Sequence, residues 1–246
     1  GFLAKVYFQM NKFDSAYKYA DDVITNSAAS FDYTADFVTN RFNNPVSQEA
    51  VFYLVNETVP SSNIRFGGLR NDANPLLGMS LPITAAAYTA GNSNTHDLRK
   101  AWYSNTAGIY GITKYKKNNF ILPLLHITEL KLIRAESAVE LNQNIPVAIS
   151  DINDITTRAY DGFLAPLDGT ATLPVIKARI RTERKLEMVY ESCDRLQEIK
   201  RIGAKGEVSV SHDNAPWDCN GMALQFPASE FNVNANFAPN PTGGCL

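Results

Sequence analysis

Cysteine, histidine and tryptophan are scarce: the 246-residue chain holds three, three and two of them. Cys193, Cys219 and Cys245 form no C-x-x-C pair and have no histidine at metal-site spacing, which argues against a structural zinc site. His96, His126 and His212 stand without a nearby Asp/Ser or Cys arrangement, no glycine loop runs into Lys-Ser/Thr, and no H-E-x-x-H occurs. The chain therefore reads as a non-enzyme, and no cofactor is implied. A calcium ion on loop Asp and Asn oxygens stays open, with no EF-hand loop to name its ligands.

Long apolar runs are also missing, since nothing approaches the roughly eighteen residues that a membrane span needs. The formal charge is only −2, so no basic field exists to draw nucleic acid or anionic lipid. The opening GFLAKVYFQM has no signal-peptide pattern and begins inside a helical one with no capping residue before it. That predicts a piece of a longer protein, and it leaves localisation unread. With 45% apolar and 20% charged residues, the chain has the composition of one that folds.

What is present is helical periodicity. Leu130, Ile133, Ala138 and Leu141 share one face, with Glu129, Lys131, Arg134 and Glu136 turned largely away from it. Asn142-Gln143-Asn144 break the pattern. Val147, Ala148, Ile152 and Ile155 resume it, and Pro146 is tolerated in a first helical turn. The spacing predicts an antiparallel helical hairpin near 127–158. A second one near 2–25 matches it: Ala4 with Ala135, Met10 with Leu141, Ala16 with Ala148, Ala20 with Ile152 and Val23 with Ile155, allowing one extra residue in the later turn. Small residues at the crossing point let helix backbones approach closely. The unit resembles the tetratricopeptide repeat, which buries its apolar face by stacking on neighbours.

Between the hairpins, AVFYLV at 50–55 reads as a strand or a buried extended piece. Residues 60–117 form a loop region rich in Gly, Asn, Ser and Thr that still carries many large side chains, too many for a solvated linker. Farther on, Ile176, Ile180, Leu186, Val189, Tyr190, Cys193, Leu196 and Ile199 predict one long helix near 174–201, with Cys193 as a small buried hydrophobe. Glu207 to Val210 read as a short strand, and 203–246 as a coil tail. Cys219 and Cys245 lie in that tail, either bridged, which needs an oxidising compartment, or free.

Three stretches carry a family resemblance. They are Leu132-Ile133-Arg134-Ala135-Glu136 with Ala148 to Asn153 and Thr157-Arg158-Ala159; Arg184, Leu186, Glu187, Glu191, Arg195, Ile199, Lys200 and Arg201; and Phe226-Pro227, Glu230, Asn234 and Asn240 to Gly243. Together they resemble the C-terminal portion of the SusD/RagB family, outer-membrane lipoproteins of Bacteroidetes that bind nutrients. Ser192 stands where that family usually has glycine, and Gln197-Glu198 replace its usual pair, which leaves the local turn in question. The resemblance implies a mostly α fold of tetratricopeptide-like hairpins with long irregular loops, here one domain over 1–246. It also implies a TonB-dependent outer-membrane transporter and a glycan or other nutrient as partners, no nucleic acid, a cell-surface location, and attachment through a lipid anchor on an upstream half.

In that family the ligand meets the loops. The residues agree: Trp and Tyr rings lie flat on sugar faces, while Asn, Asp and Arg bond the hydroxyls. Tyr88, Trp102, Tyr103 and Tyr110 are the candidate rings, with Arg70, Asn71, Asn92, Asn94 and Asp97 as polar partners. The other reading of these aromatics is that they pin the loops to the scaffold, and Trp217 reads as such an anchor for the tail. Arg134, Glu136, Arg181, Arg184, Glu187 and Arg195 are expected to form a buried, paired network between the helices. A helical-repeat interaction scaffold without a small ligand is the alternative function.

Overall fold

In the computed structural model, the described residues are 1–42, 45–55, 96–106, 109–115, 121–207, 216–223, 226, 228–233, 236, 238 and 240. Both predicted hairpins are present. The first is α1 (Phe2–Gln9) with α2 (Phe13–Asn26), and the second is α4 (Ile127–Leu141) with α5 (Ile145–Ala159). A short helix, α3 (Phe37–Asn40), lies between them. The two tight turns share a device. Asn11 and Asn142 occupy equivalent places and both adopt positive φ, 56° and 52°, a conformation asparagine tolerates better than most residues.

The hairpins stack through α2 and α4, so they belong to one body. Ala4, Phe8, Ala16 and Ala20 meet Leu125, Leu130 and Ile133 on one side of α4. On its other side Leu132, Ala135 and Val139 meet Ala148, Ile152 and Ile155 of α5 and Ile176 and Ile180 of α6 (Leu173–Glu187). Thus α4 is enclosed all round. The charged face expected to point away is buried too, with Glu129, Lys131, Arg134 and Glu136 at most 9% exposed.

The long helix expected near 174–201 is two helices, α6 and α7 (Asp194–Ala204). They part at a turn in which Tyr190, Ser192 and Cys193 all have positive φ, near 58°, 51° and 53°. Ser192 therefore holds the backbone shape that a glycine would hold without strain. The break turns Cys193 outward, and it is a free, exposed thiol instead of a buried hydrophobe. Arg184 on α6 grips Asp194 on α7 through two bonds of 2.5 and 3.0 Å, which fixes the angle between them.

The stretch 50–54 is a strand. β1 (Ala50–Leu54) pairs antiparallel with β4 (Leu122–His126), which runs directly into α4. A second ribbon is formed by β2 (Tyr103–Thr106) and β3 (Ile109–Ile112), reached through a 3₁₀ turn at Leu98–Trp102. The tail adds α8 (Ala228–Val233). Cys219 is disulfide-bonded. Cys245, left by the sequence as bridged to it or free, lies outside the described residues, as do residues 208–210 of the short strand expected from Glu207 to Val210.

One face of α1 is left uncovered. Phe2, Leu3, Val6 and Met10 are 47–53% exposed, and Phe2 meets the half-exposed Phe52 edge-on at 5.5 Å. A contiguous apolar stripe of this kind favours association. Light scattering on the 246-residue chain is expected to show mass rising with concentration, and Leu3→Glu with Val6→Glu to return it to monomer. A wild-type mass that stays monomeric at high concentration would refute this.

Candidate functional site

The described part of the loop region meets the helical body at one buried cluster of charge. Its centre is the Glu187 carboxylate at the C-terminal end of α6, which is fully inaccessible to solvent. Three guanidinium groups converge on it: Arg41 at 2.8 Å, Arg158 at 3.3 Å and Arg99 at 3.3 Å. Glu49, just before β1, closes the other side with Arg158 at 2.6 Å and Arg41 at 3.3 Å. The Thr128 hydroxyl sits between them, 2.9 Å from Glu49, and accepts from Arg41 and Arg158 at 3.2 Å each. Phe31 and Phe37 cover Arg158 at 4.1 and 3.9 Å, which removes water from the pairs.

Two of the sequence candidates, Asp97 and Trp102, fall on this cluster. Asp97 is fully buried and holds Arg99 through two bonds of 2.9 Å, with Glu183 completing the group at 2.8 Å. Trp102 is 1% exposed and donates from Nε1 to the Val38 carbonyl at 2.8 Å. Both residues therefore face the interior, where they bond protein groups. Tyr103 and Tyr110 stand on the β2–β3 ribbon. Its register pairs Tyr103 with Ile112 and Asn105 with Tyr110, so the two tyrosines occupy positions on one face of the ribbon. Arg70, Asn71, Tyr88, Asn92 and Asn94 lie outside the described residues.

Lys114, immediately after the ribbon, is a residue the sequence reading missed. Its ammonium donates to the Glu187 carbonyl at 2.7 Å and the Val189 carbonyl at 3.0 Å, and pairs with Glu191 at 2.6 Å. It also lies 3.9 Å from the centre of the Trp102 ring. The Tyr115 hydroxyl donates to the Tyr190 carbonyl at 2.8 Å. The strained turn after α6 thus offers three carbonyls and one carboxylate to the ribbon's base. His126 caps α4 through Nδ1, which accepts from the Glu129 amide. That leaves Nε2 to carry the hydrogen and donate to Glu191 at 2.9 Å.

Electrostatics follow from this packing. Burial alone would raise the Glu187 carboxyl, but Arg41, Arg158 and Arg99 outweigh it and hold the pKa down at about 2. Glu191 and Glu49 are lowered in the same way against their burial, Glu191 by Lys114 and His126, and Glu49 by Arg158 and Arg41. Burial takes Lys114 down to about 8, with Glu191 opposing. A second group ties the helices: Glu136 on α4 meets Arg201 at 2.8 Å and Arg181 at 3.2 Å, while Arg134 meets Asp151 and Asp21 at 2.7 Å each. The expected network is thus paired, except that Arg195 meets Glu198 of its own helix and is itself 45% exposed on its side chain. Among the described residues no cluster of His, Cys, Asp and Glu is arranged to hold a metal ion.

An open cleft of about 530 Å³ lies apart from the ribbon, between the end of α1, α7 and the tail.

Stacked helical hairpins carrying an ion-paired loop ribbon define the class, and comparison supplies the family. The sequence profile of the SusD family matches residues 77–238, more than half of the chain, and the chain belongs to that family. A putative sugar binding protein from Bacteroides vulgatus superposes with a TM-score of 0.75 at 21% identity, over 99% of this chain and 58% of that one. A SusD superfamily protein from Bacteroides thetaiotaomicron gives 0.71 at 19%, over 98% and 59%. Surface glycan-binding protein A from Bacteroides uniformis gives 0.69 at 16%, over 96% and 59%. The chain thus spans less than two thirds of the length of these structures. No curated protein sequence matches it.

Two predictions follow from the cluster. Because the folded pKa of Glu187 lies below its ordinary 4.5, its contribution is complete above about pH 4.5 and is lost as pH falls toward 2, with Glu49 and Glu191 acting in the same direction. The urea midpoint is expected to fall between pH 5 and 3, and Glu187→Gln to cost about 3–5 kcal/mol at neutral pH. Equal midpoints at the two pH values would contradict this. Separately, Lys114→Met is expected to speed amide exchange in residues 103–112 by about tenfold or more while α4 stays protected. Unchanged exchange there would show that the ribbon is held by other contacts.

Proposed function

We propose that this chain is the C-terminal part of a cell-surface receptor that binds an oligosaccharide or related nutrient and hands it to a TonB-dependent outer-membrane transporter. Family membership supports the reading, as do structural neighbours named as sugar- or glycan-binding proteins. The observation that carries it is the β2–β3 ribbon, which brings Tyr103 and Tyr110 to one face and is anchored at its base by Lys114. Two aromatic positions on one face of a ribbon anchored at its base suit the apolar side of a sugar ring, and an anchored backbone loses less freedom on binding. Arg70, Asn71, Tyr88, Asn92 and Asn94 are proposed as further contacts. Trp102 and Asp97 act from behind, by packing the ribbon's entry against α3 and Arg99. The helical hairpins are the proposed transporter-facing scaffold, and an upstream lipid anchor the proposed membrane attachment.

The inward ring of Trp102 and the bare stripe on α1 favour a second reading, a helical-repeat scaffold that binds proteins without a small ligand. Calorimetry against a glycan array's best binders separates the two. Tyr103→Ala with Tyr110→Ala is expected to weaken binding about tenfold or more, the size of one or two lost ring contacts, with helical circular dichroism unchanged. Unchanged affinity in the folded double variant would remove the ribbon from the site. A failure of any glycan to bind would favour the scaffold.

A further inference from the structure

Trp217 lies far along the chain from the ribbon, and its position has a specific structural cause. Its indole rests directly on the backbone of α7 at Gly203: a β-carbon added there would come within 2.1 Å of the Trp217 Cγ. A glycine inside a helix costs roughly 1 kcal/mol relative to alanine, so this one is explained by the ring it admits. The ring is only half-buried. It forms part of the wall of the open cleft of about 530 Å³, whose floor includes the buried Met222 and whose rim includes Gln9, Gln197, Lys200 and Asp218.

The chemistry of that lining is narrow. An aromatic wall and an apolar floor offer a surface for the C–H face of a ring. Gln9, Gln197 and Asn220 supply three amides, and Lys200 and Asp218 one charge of each sign, while the buried Arg201 guanidinium in the lining is paired with Glu136 at 2.8 Å, so the cleft carries little unbalanced charge. The wall is also braced, because Cys219, two residues after Trp217, is disulfide-bonded. A preset wall loses little freedom when a ligand arrives. Gln197 is itself oriented by the bond from its Nε2 to the Ser192 carbonyl at 2.8 Å, which leaves its Oε1 as the acceptor.

We infer that this cleft is a second carbohydrate site, separate from the ribbon, which takes an uncharged sugar ring against Trp217 with Asp218 and the two glutamines on its hydroxyls. Its volume admits one or two pyranose rings, so it suits a chain end or a branch and not an extended segment. The site does not depend on the ribbon reading, since no residue is shared between the two.

The test uses the full 246-residue chain with maltoheptaose, xyloheptaose and mannopentaose as probes, followed by tryptophan fluorescence and calorimetry. Trp102 is interior, so a probe in the cleft should change the emission of Trp217. At least one probe is expected to quench it. Trp217→Ala should lower that probe's affinity about tenfold or more. Gly203→Ala, which displaces the ring without removing it, should do the same, and Asp218→Ala, at an exposed rim position, should weaken binding several-fold without risk to the fold. The Tyr103→Ala, Tyr110→Ala variant should leave the fluorescence change intact. No quenching by any probe, or affinity unmoved by Trp217→Ala, Gly203→Ala and Asp218→Ala alike, would overturn the inference. Loss of quenching in the tyrosine variant alone would also overturn it, by assigning the signal to the ribbon.

Discussion

The Glu187 carboxylate is the point on which the described structure depends. A charge removed from water is tolerated only when opposite charge replaces the lost hydration, and here three arginines supply it from three parts of the chain. Arg41 follows α3, Arg99 begins the approach to the ribbon, and Arg158 ends α5. Arg158 comes from a helix already packed through Ala148, Ile152 and Ile155, whereas the short segments around Arg41 and Arg99 need a further contact to fix their place. The shared anion does that, and Glu49, Thr128 and Asp97 accept further guanidinium hydrogens on the inner side.

The same centre accounts for the bent connection between α6 and α7. A continuous helix would leave the carbonyls of its last turn bonded within itself and carry Glu191 elsewhere. Breaking it after Glu187 releases carbonyls for Lys114 and Tyr115 and brings Glu191 between Lys114 and His126. Three residues with positive φ are the conformational cost, of order 1 kcal/mol each, and charge-assisted bonds offset it. A strained turn that grips the base of a loop ribbon couples the scaffold to the surface where a ligand is proposed to bind.

The sequence made the hairpins legible because a 3.6-residue period and paired small residues at crossing points are local signals. Ala4, Ala16, Ala135 and Ala148 are all buried as their spacing implied. The break at 188–193 was not legible, since Val189, Tyr190 and Cys193 continue the apolar period through it and only Ser192, standing for a glycine, hinted at the turn. The burial of α4's charged face was hidden for a related reason. Periodicity assigns charge to solvent, whereas here partners from α2, α5, α6 and α7 cover it. Trp102 and Asp97 looked like ligand residues because they sit in a loop, and composition does not say which side of a loop faces inward. Lys114 carried no signal at all, as its importance rests on carbonyls more than seventy residues away.

The spacing of the charges along the chain has a consequence for how the molecule comes together. Arg41, Arg99, Arg158 and Glu187 are separated by dozens of residues, so each contact closes a long loop, while the alanine-lined hairpins need only a short one. Local helix pairs therefore have the kinetic advantage, and desolvating the ions becomes a late event that can proceed only when all partners have arrived. A chain with any one segment misplaced would leave a bare charge inside, at a cost of about 3–5 kcal/mol, so the ionic centre weights the equilibrium against misassembled forms.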